Sequence, residues 1–458
     1  MTDGHLTPVK HDKTSCVFCK SIRGFEMPDA LVEQLKLCNV VIFAGAGVST
    51  ESVTVFPATF YDEVLGQVGV ADDSCPKFST LMSMFCRRPN GRAELIRKII
   101  NRLKYVESFP ELGFAATTFH RELATLFYVN TIITTNWDDY FERFCGAIPL
   151  TSSQDFSLWA LPGRKVFKIH GSASSVGSIV ATDEDYARAH ESLERGPLGS
   201  ALKLALSTKT IVYVGYSLRD DDFLAIHNYL RRELGEMAPQ SYVVSLDDAS
   251  EGRFREMGLH PIFTDARYFV AMLKKHLAED EHFLPDDRFD GIRGAYDRVD
   301  EEHGKLHRAF NLHKTPEIAF SACYQDGLMH AFERIMVLKR TGEYSHRCDV
   351  LRKAQAYEGI RRHNIKMRRY LDVAYAEGYQ NGLFYLLWDD KVRKHLPYYY
   401  LYGAKYQPSS LSELRRLLKG PIHKAAAAHA SRAVSRLGPH DHLHHPPFIG
   451  GGRSHAAD

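Results

Sequence analysis

The stretch Asn39 to Ser49, NVVIFAGAGVS, constrains this chain more than any other. Val40, Val41, Ile42 and Phe43 form a short unbroken apolar run, the pattern of a parallel strand buried on both faces. The run ends in Ala44-Gly45-Ala46-Gly47, where glycine lets the backbone turn sharply and come close to a ligand. The pattern predicts a strand, a turn and then a helix, whose first N–H groups and positive dipole end suit a phosphate. A tight strand-to-helix turn without a ligand has the same signature, so three later stretches carry the argument.

Each of the three also ends a strand pattern. Thr131–Thr135 is strongly β-prone and runs into Asn136-Trp137-Asp138-Asp139. Val166–Ile169 is closed by His170-Gly171, and Thr210–Val214 by Gly215-Tyr216-Ser217. Tyr242–Leu246 reads as one more strand. Helical spacing marks Pro28–Leu37, Arg92–Tyr105, Thr118–Tyr128, Asp183–Leu206, Asp220–Glu233 and Ala271–Ala278. The rest of 50–115 is less regular. Short apolar strands alternating with helices predict an α/β fold, a Rossmann-like parallel sheet with helices on both faces. In such sheets ligands bind at the carboxyl ends of the strands, which would bring the four stretches to one crevice.

After about residue 285 the strand signals stop. Segments rich in Leu, Ala, Arg, Glu and Tyr (327–339, 347–362, 366–379) predict a mainly α-helical C-terminal domain. The expected divisions are an N-terminal arm at 1–27, an α/β domain at 28–282, a helical domain at 283–420 and a low-complexity, His-rich tail at 421–458, read as disordered. Arg361, Arg362, Lys366, Arg368 and Arg369 form a basic cluster and Tyr398, Tyr399, Tyr400, Tyr402 and Tyr406 an aromatic one. A solvated face or subunit contact and interhelical packing are their plain readings. The basic side of Arg92–Tyr105 likewise reads as solvated.

The 458 residues carry a formal charge of only +2, which argues against direct nucleic-acid binding and against a membrane-surface role. No apolar run reaches membrane-spanning length, and the polar first residues lack a secretory pattern. Eight scattered cysteines fit free thiols in a cytoplasmic setting. Cys16-Val-Phe-Cys19, with His5 and His11 near, is half of a zinc site whose second half is not evident, and two ordinary thiols read as well; no metal is assigned.

The crevice would join two glycine turns to an amide (Asn136), a carboxylate (Asp138) and an imidazole (His170). Imidazole is the usual base near neutral pH. An amide orients water or a sugar hydroxyl without adding charge. Such a set suits chemistry at the anomeric carbon of a ribose, where loss of nicotinamide from NAD develops positive charge.

On these residues the chain resembles the sirtuins. Gly45-Ala46-Gly47-Val48-Ser49 is similar to the family's phosphate loop, Thr135-Asn136-Trp137-Asp138 to its TxNxD motif, His170-Gly171 to its catalytic HG and Gly215-Tyr216-Ser217 to its later GxS contact. The resemblance spans about 28–280. It implies that Gly45, Ala46, Gly47, Ser49, Thr135, Gly215 and Ser217 contact NAD as substrate, that Asn136 and His170 are catalytic, and that Asp138 orders the Asn136 loop. Two departures stand out. No cysteine lies between Cys145 and Cys323, where deacylating members carry zinc-binding pairs, and the loop continues as Thr50 to Pro57 instead of the usual peptide-binding sequence. With Gly215 to Asp220 reading GYSLRD, the pattern is similar to bacterial sirtuin-like proteins of anti-phage defence. That implies an NAD glycohydrolase with water as acceptor, a homo-oligomer, a helical part that senses or oligomerises, and activation by a partner protein or phage component. A protein deacylase or ADP-ribosyltransferase, and a non-enzymatic NAD-sensing module, are the alternatives.

Overall fold

The computed structural model describes residues 21–52, 54–69, 76–215, 234–438 and 443–447. Ser217, the segment Asp220–Glu233, Cys16 and Cys19 lie outside the described residues. The chain divides into two compact units, Met1–Leu277 and Ala278–Asp458, a few residues ahead of the expected boundary. No helix among the described residues is long and apolar enough to cross a membrane.

In the first unit seven strands form one sheet: β1 (Val40–Ala44), β2 (Thr131–Thr134), β3 (Ile148–Leu150), β4 (Lys165–Lys168), β5 (Thr210–Val214), β6 (Ser241–Ser245) and β7 (Leu259–Phe263). Their order is β3-β4-β2-β1-β5-β6-β7, and every pairing is parallel. The chain leaves β1 toward β2 on one side and later returns to its other side as β5. The direction of winding thus reverses between β1 and β5, the place where open α/β sheets bind ligands.

The sheet was legible except at its edges. β3 and β7 are the outermost strands, and each holds a proline, Pro149 and Pro261. Proline cannot donate to a ladder, so it is tolerated at an edge, and there it also interrupts the apolar pattern.

Around the sheet lie α1 (Asp29–Lys36), α2 (Phe60–Val68), α3 (Phe78–Cys86), α4 (Gly91–Ser108), α5 (Pro110–Ala124), α6 (Asp183–Arg195), α7 (Pro197–Thr208) and α8 (Ala266–His276). Val41, Phe43, Ile133, Phe167, Ile211, Tyr213 and Val243 point to one face and pack on Leu198, Leu202 and Leu206 of α7. Val40, Ile42 and Ala44 point the other way and are buried too, so β1 is covered on both faces.

Three expectations are corrected. The single helix over Asp183–Leu206 is two, because Gly196 is extended and Pro197 starts a new helix. Among the described residues, 50–115 hold α2, α3, α4 and the start of α5. The basic side of α4 is only partly solvated: Arg97 and Lys104 are exposed, but Lys98 pairs with Glu63 and Arg102 with Glu51, and Arg92 at the helix start pairs with Asp185.

The second unit is helical: α9 (Ile292–Ala309), α10 (Ala319–Leu338), α11 (Arg347–Lys366), α12 (Tyr370–Leu387) and α13 (Lys424–Val434), with shorter turns between. Tyr324, Phe332, Tyr375 and Leu383 lie in its core. α10 and α12 cross backbone against backbone, since a Cβ added at Gly378 would sit 2.0 Å from the Tyr324 carbonyl oxygen. Arg361 and Arg362 are both held by Glu358, and Tyr399 and Tyr400 are buried packing residues. The described part of the tail contradicts its reading as disordered. Ala426, Ala430 and Val434 are one helical face of α13, spaced by four residues, and all three are buried in the same core.

Candidate functional site

Parallel pairing places the carboxyl ends of β1, β2, β4 and β5 on one edge. Gly45–Ser49, Thr135–Asp138, His170–Gly171 and Gly215 therefore share that edge, and hydrogen bonds knit them together.

The glycine turn differs from the expected helix start. Ala46–Val48 is a single 3-10 turn, and the next α-helix waits until α2. The β-branched residues and Pro57 in Thr50–Pro57 oppose an earlier helix, and Thr59 supplies the N-cap at its start. The turn's N–H groups are largely used within the protein. Gly45 donates to Val214 O (2.9 Å), Gly47 to Gly215 O (2.9 Å), Val48 to Gly45 O (3.3 Å) and Ser49 to Ala46 O (3.0 Å). A row of free helix N–H groups is absent there, so the anion cradle expected from a helix end is not what the turn offers. Instead it locks against Gly215, whose φ of +57° and whose approach to Val48 (2.5 Å from its N to an added Cβ) leave no room for a side chain. Gly47 is exposed and Ala46 half-buried, so this is where the edge opens to solvent.

Beneath the turn lies a buried polar hub. Thr134 Oγ1 donates to Ala44 O (2.9 Å) and accepts the N–H of Asn136 (3.1 Å). Asn136 Nδ2 donates to Gly45 O and to Ser49 Oγ, both at 3.2 Å. Ser49 in turn donates to Asp138 Oδ2 (2.9 Å), whose other oxygen accepts the Tyr140 N–H (3.2 Å). Gly45 O can only accept, so the amide orientation of Asn136 is fixed. Its Oδ1 is buried and has no hydrogen-bond partner among the described residues. An acceptor left so costs about 1–3 kcal/mol, which a bound hydroxyl or water recovers.

Asp138 is wholly buried, and burial raises its pKa against the opposing pull of Lys168. Burial raises Glu142 in the same way. Lys168 itself is fully buried; its ammonium donates to the Asp138 carbonyl and pairs with Glu142 Oε1 at 3.1 Å. His170 is buried, with its ring 4.8 Å from that of Tyr186. Its loop is tied to the Asn136 loop by the Ala173 N–H bond to Trp137 O (2.7 Å).

The structure thus brings Gly45, Ala46, Gly47, Ser49, Thr135, Asn136, Asp138, His170 and Gly215 to one edge. Within it Ser49 and Asp138 face each other rather than solvent. Sequence reasoning missed Thr134, Lys168 and the Glu51–Arg102 pair. A lysine inside the apolar run Val166–Ile169 was the available signal for Lys168. Glu51 accepts from Arg102 Nε (3.0 Å) and from the Phe60 N–H (2.6 Å), which fixes the segment after the glycine turn to α2 and α4.

Residues 130–262 match the model of the SIR2-like domain. The match covers the Asn136, His170 and Gly215 stretches and leaves out the glycine turn that the structure joins to them. The chain is similar to two curated proteins named NAD(+) hydrolase ThsA. The one from Acinetobacter baumannii (strain 532279) is 27% identical over 48% of this chain and 44% of its own length. The one from Cytobacillus dafuensis is 28% identical over 44% of this chain and 40% of its own. The aligned region therefore spans less than half of either relative. A solved chain titled "Structural Basis for the Mechanism and Regulation of Sir2 Enzymes" aligns with 55% of this chain at 16% identity and a TM-score of 0.28, too loose a superposition to bear on the site.

Proposed function

We propose that the first unit hydrolyses NAD, cleaving the bond between nicotinamide and ribose to give ADP-ribose. The observation that carries this reading is Asn136. Both of its amide protons are committed to the glycine turn, and its buried Oδ1 is left as an acceptor at the ligand-binding edge. Such an acceptor orients a ribose hydroxyl or the attacking water. The relatives named as NAD(+) hydrolases support the substrate.

In the proposed reaction the C1′–N bond breaks and nicotinamide leaves with its electron pair. Positive charge collects on the ribosyl ring. The oxygen of water bonds to C1′, and its proton passes to His170. Exposed Gly47 and half-buried Ala46 let the dinucleotide approach, while Gly215 and Ser217 complete the contact. Water as acceptor over an acyl-lysine peptide is supported by the relatives named as NAD(+) hydrolases. We extend the reading to depletion of cytoplasmic NAD during phage infection, by an oligomer that a partner protein or phage component activates through the helical unit.

The test is nicotinamide release by the purified full-length chain, with and without phage lysate, and without peptide. Release is expected, and Asn136→Ala should abolish it with the circular dichroism spectrum unchanged. Undiminished turnover in Asn136→Ala would sink the site. Release only when an acylated peptide is added would sink water as the acceptor.

A further inference from the structure

The helical unit holds a second set of converging side chains that NAD cleavage does not use. His303 and His307 lie one turn apart on α9 and share a face. α10 sets Gln325 and Asp326 opposite them, and the segment 443–447 lays His444 and His445 over the same place. One donor atom each from His303, Asp326 and His444 lies within 4.8 Å of the other two.

Hydrogen bonds fix which nitrogen of His303 carries the lone pair. Gln325 Nε2 donates to the Tyr398 carbonyl at 2.9 Å, so its amide oxygen is the atom that faces His303. His303 Nδ1 therefore donates to Gln325 Oε1 at 3.0 Å, and in the neutral ring the lone pair is left on Nε2. That nitrogen faces His307 Nε2 at 3.1 Å. A metal-ligating imidazole is held in this way, its second nitrogen donating to a fixed oxygen. Asp326 is buried, and its ion partner is an imidazole rather than a lysine or arginine: Oδ1 lies 3.2 Å from His444 Nδ1. Its other oxygen accepts the backbone N–H of His445 at 2.7 Å, which fixes the carboxylate.

We propose that His303, Asp326 and His444 form a three-ligand site for a divalent transition metal ion of the zinc type, with the fourth position left to water. Imidazole and carboxylate donors suit such an ion. Zinc bonds of about 2.0–2.1 Å put tetrahedral ligand atoms roughly 3.3 Å apart. The His444–Asp326 separation, 3.2 Å, is already near that spacing, and the His303 donor lies within 4.8 Å of both. His444, with 60% of its side chain exposed, is the ligand an ion meets first from solvent. The site is structural: it fastens residues 443–447 onto α9 and α10, turning a His-rich stretch of low complexity into an ordered strap.

The full-length chain, stripped with chelator and dialysed, is titrated with zinc chloride and its zinc content measured. His444→Ala is the first variant because an exposed side chain can be removed without unfolding the core; Asp326→Asn is the second. Cys16→Ser/Cys19→Ser is the control, since that pair offers zinc another place. The proposal expects one zinc per chain that both first variants lose or bind at least ~10-fold more weakly, while the cysteine variant keeps it. It also expects zinc to slow hydrogen exchange at 443–447 in the parent chain and not in His444→Ala. Zinc content equal in His444→Ala and the parent, or lost only in the cysteine variant, overturns it. Unchanged exchange at 443–447 overturns the strap.

Discussion

Lys168 is the residue on which the buried charges of the site depend. It brings one cation to two carboxylates, the buried Asp138 and the half-buried Glu142, and one oxygen of Glu142 has no partner among the described residues. Removing one member of a buried pair costs about 3–5 kcal/mol, because the other is left uncompensated. Lys168→Met should therefore lower unfolding stability by about that amount in urea titration. A cost below about 1 kcal/mol would mean that water reaches these groups. Asp138 adds a pH signature. Its folded pKa lies above the ordinary 3.8, so its contribution to stability is complete below that value and is lost as pH rises through the folded one. Asp138→Asn lacks this loss. Measured against the parent, the variant should gain relative stability as pH rises from 4 toward neutrality. A difference that stays flat over that range argues against the raised value. Neither role was legible in sequence, since charge state there is set by burial that only the assembled sheet supplies.

At the scale of elements, the strands were the legible part and the caps were not. β1, β2, β4 and β5 followed from short apolar or β-prone runs, and their carboxyl ends supplied the site. α6 was visible as a helix, but not what holds its first turn. Thr182 accepts the N–H of Asp185, while the Asp185 carboxylate accepts the N–H groups of Ala181 and Thr182 and pairs with Arg92 of α4. Burial alone would raise the pKa of Asp185; those N–H groups, with Arg188 and Arg92, outweigh it and hold the pKa below the ordinary 3.8. The sign is opposite to that of Asp138. This stability is present above 3.8 and is lost as pH falls through the folded value. Thr182→Ala should cost about 1 kcal/mol. Asp185→Asn should destabilise the chain at pH 7, with the gap from the parent closing below pH 4. A gap that does not narrow as pH falls below 3.8 would assign the effect to packing instead. The glycine turn is a second case. AGAGVS foretold a close backbone approach, yet the surface approached is Gly215 of a distant strand, a pairing no local pattern encodes. Gly215→Ala forces a Cβ to 2.5 Å from Val48 N. It should abolish nicotinamide release while shifting the melting temperature by only a few degrees, and full retention of turnover would remove the turn from the site.

On the scale of the whole molecule the sequence loses its strand periodicity close to the division at Leu277. It misjudged the tail. An alanine run looks featureless alone, and Ala426, Ala430 and Val434 become a packing face only when a core is present to receive them. Each unit has its own apolar core, and this sets an expectation for unfolding. Gly378 is buried where α12 crosses α10, and a Cβ there would overlap the Tyr324 carbonyl oxygen at 2.0 Å. Backbone cannot yield as a flexible side chain can, so the two helices must separate. Overpacking of this kind costs about 1–3 kcal/mol, and a valine adds the stiffness of a branched side chain in a helix. Gly378→Val should therefore move one of two calorimetric transitions to lower temperature by several degrees. The other transition, belonging to the sheet unit, should stay in place, and NAD or nicotinamide should still shift it upward. A single transition that moves as a whole would show instead that the two cores melt together, and would make the helical unit part of what holds Asn136 and His170 in place.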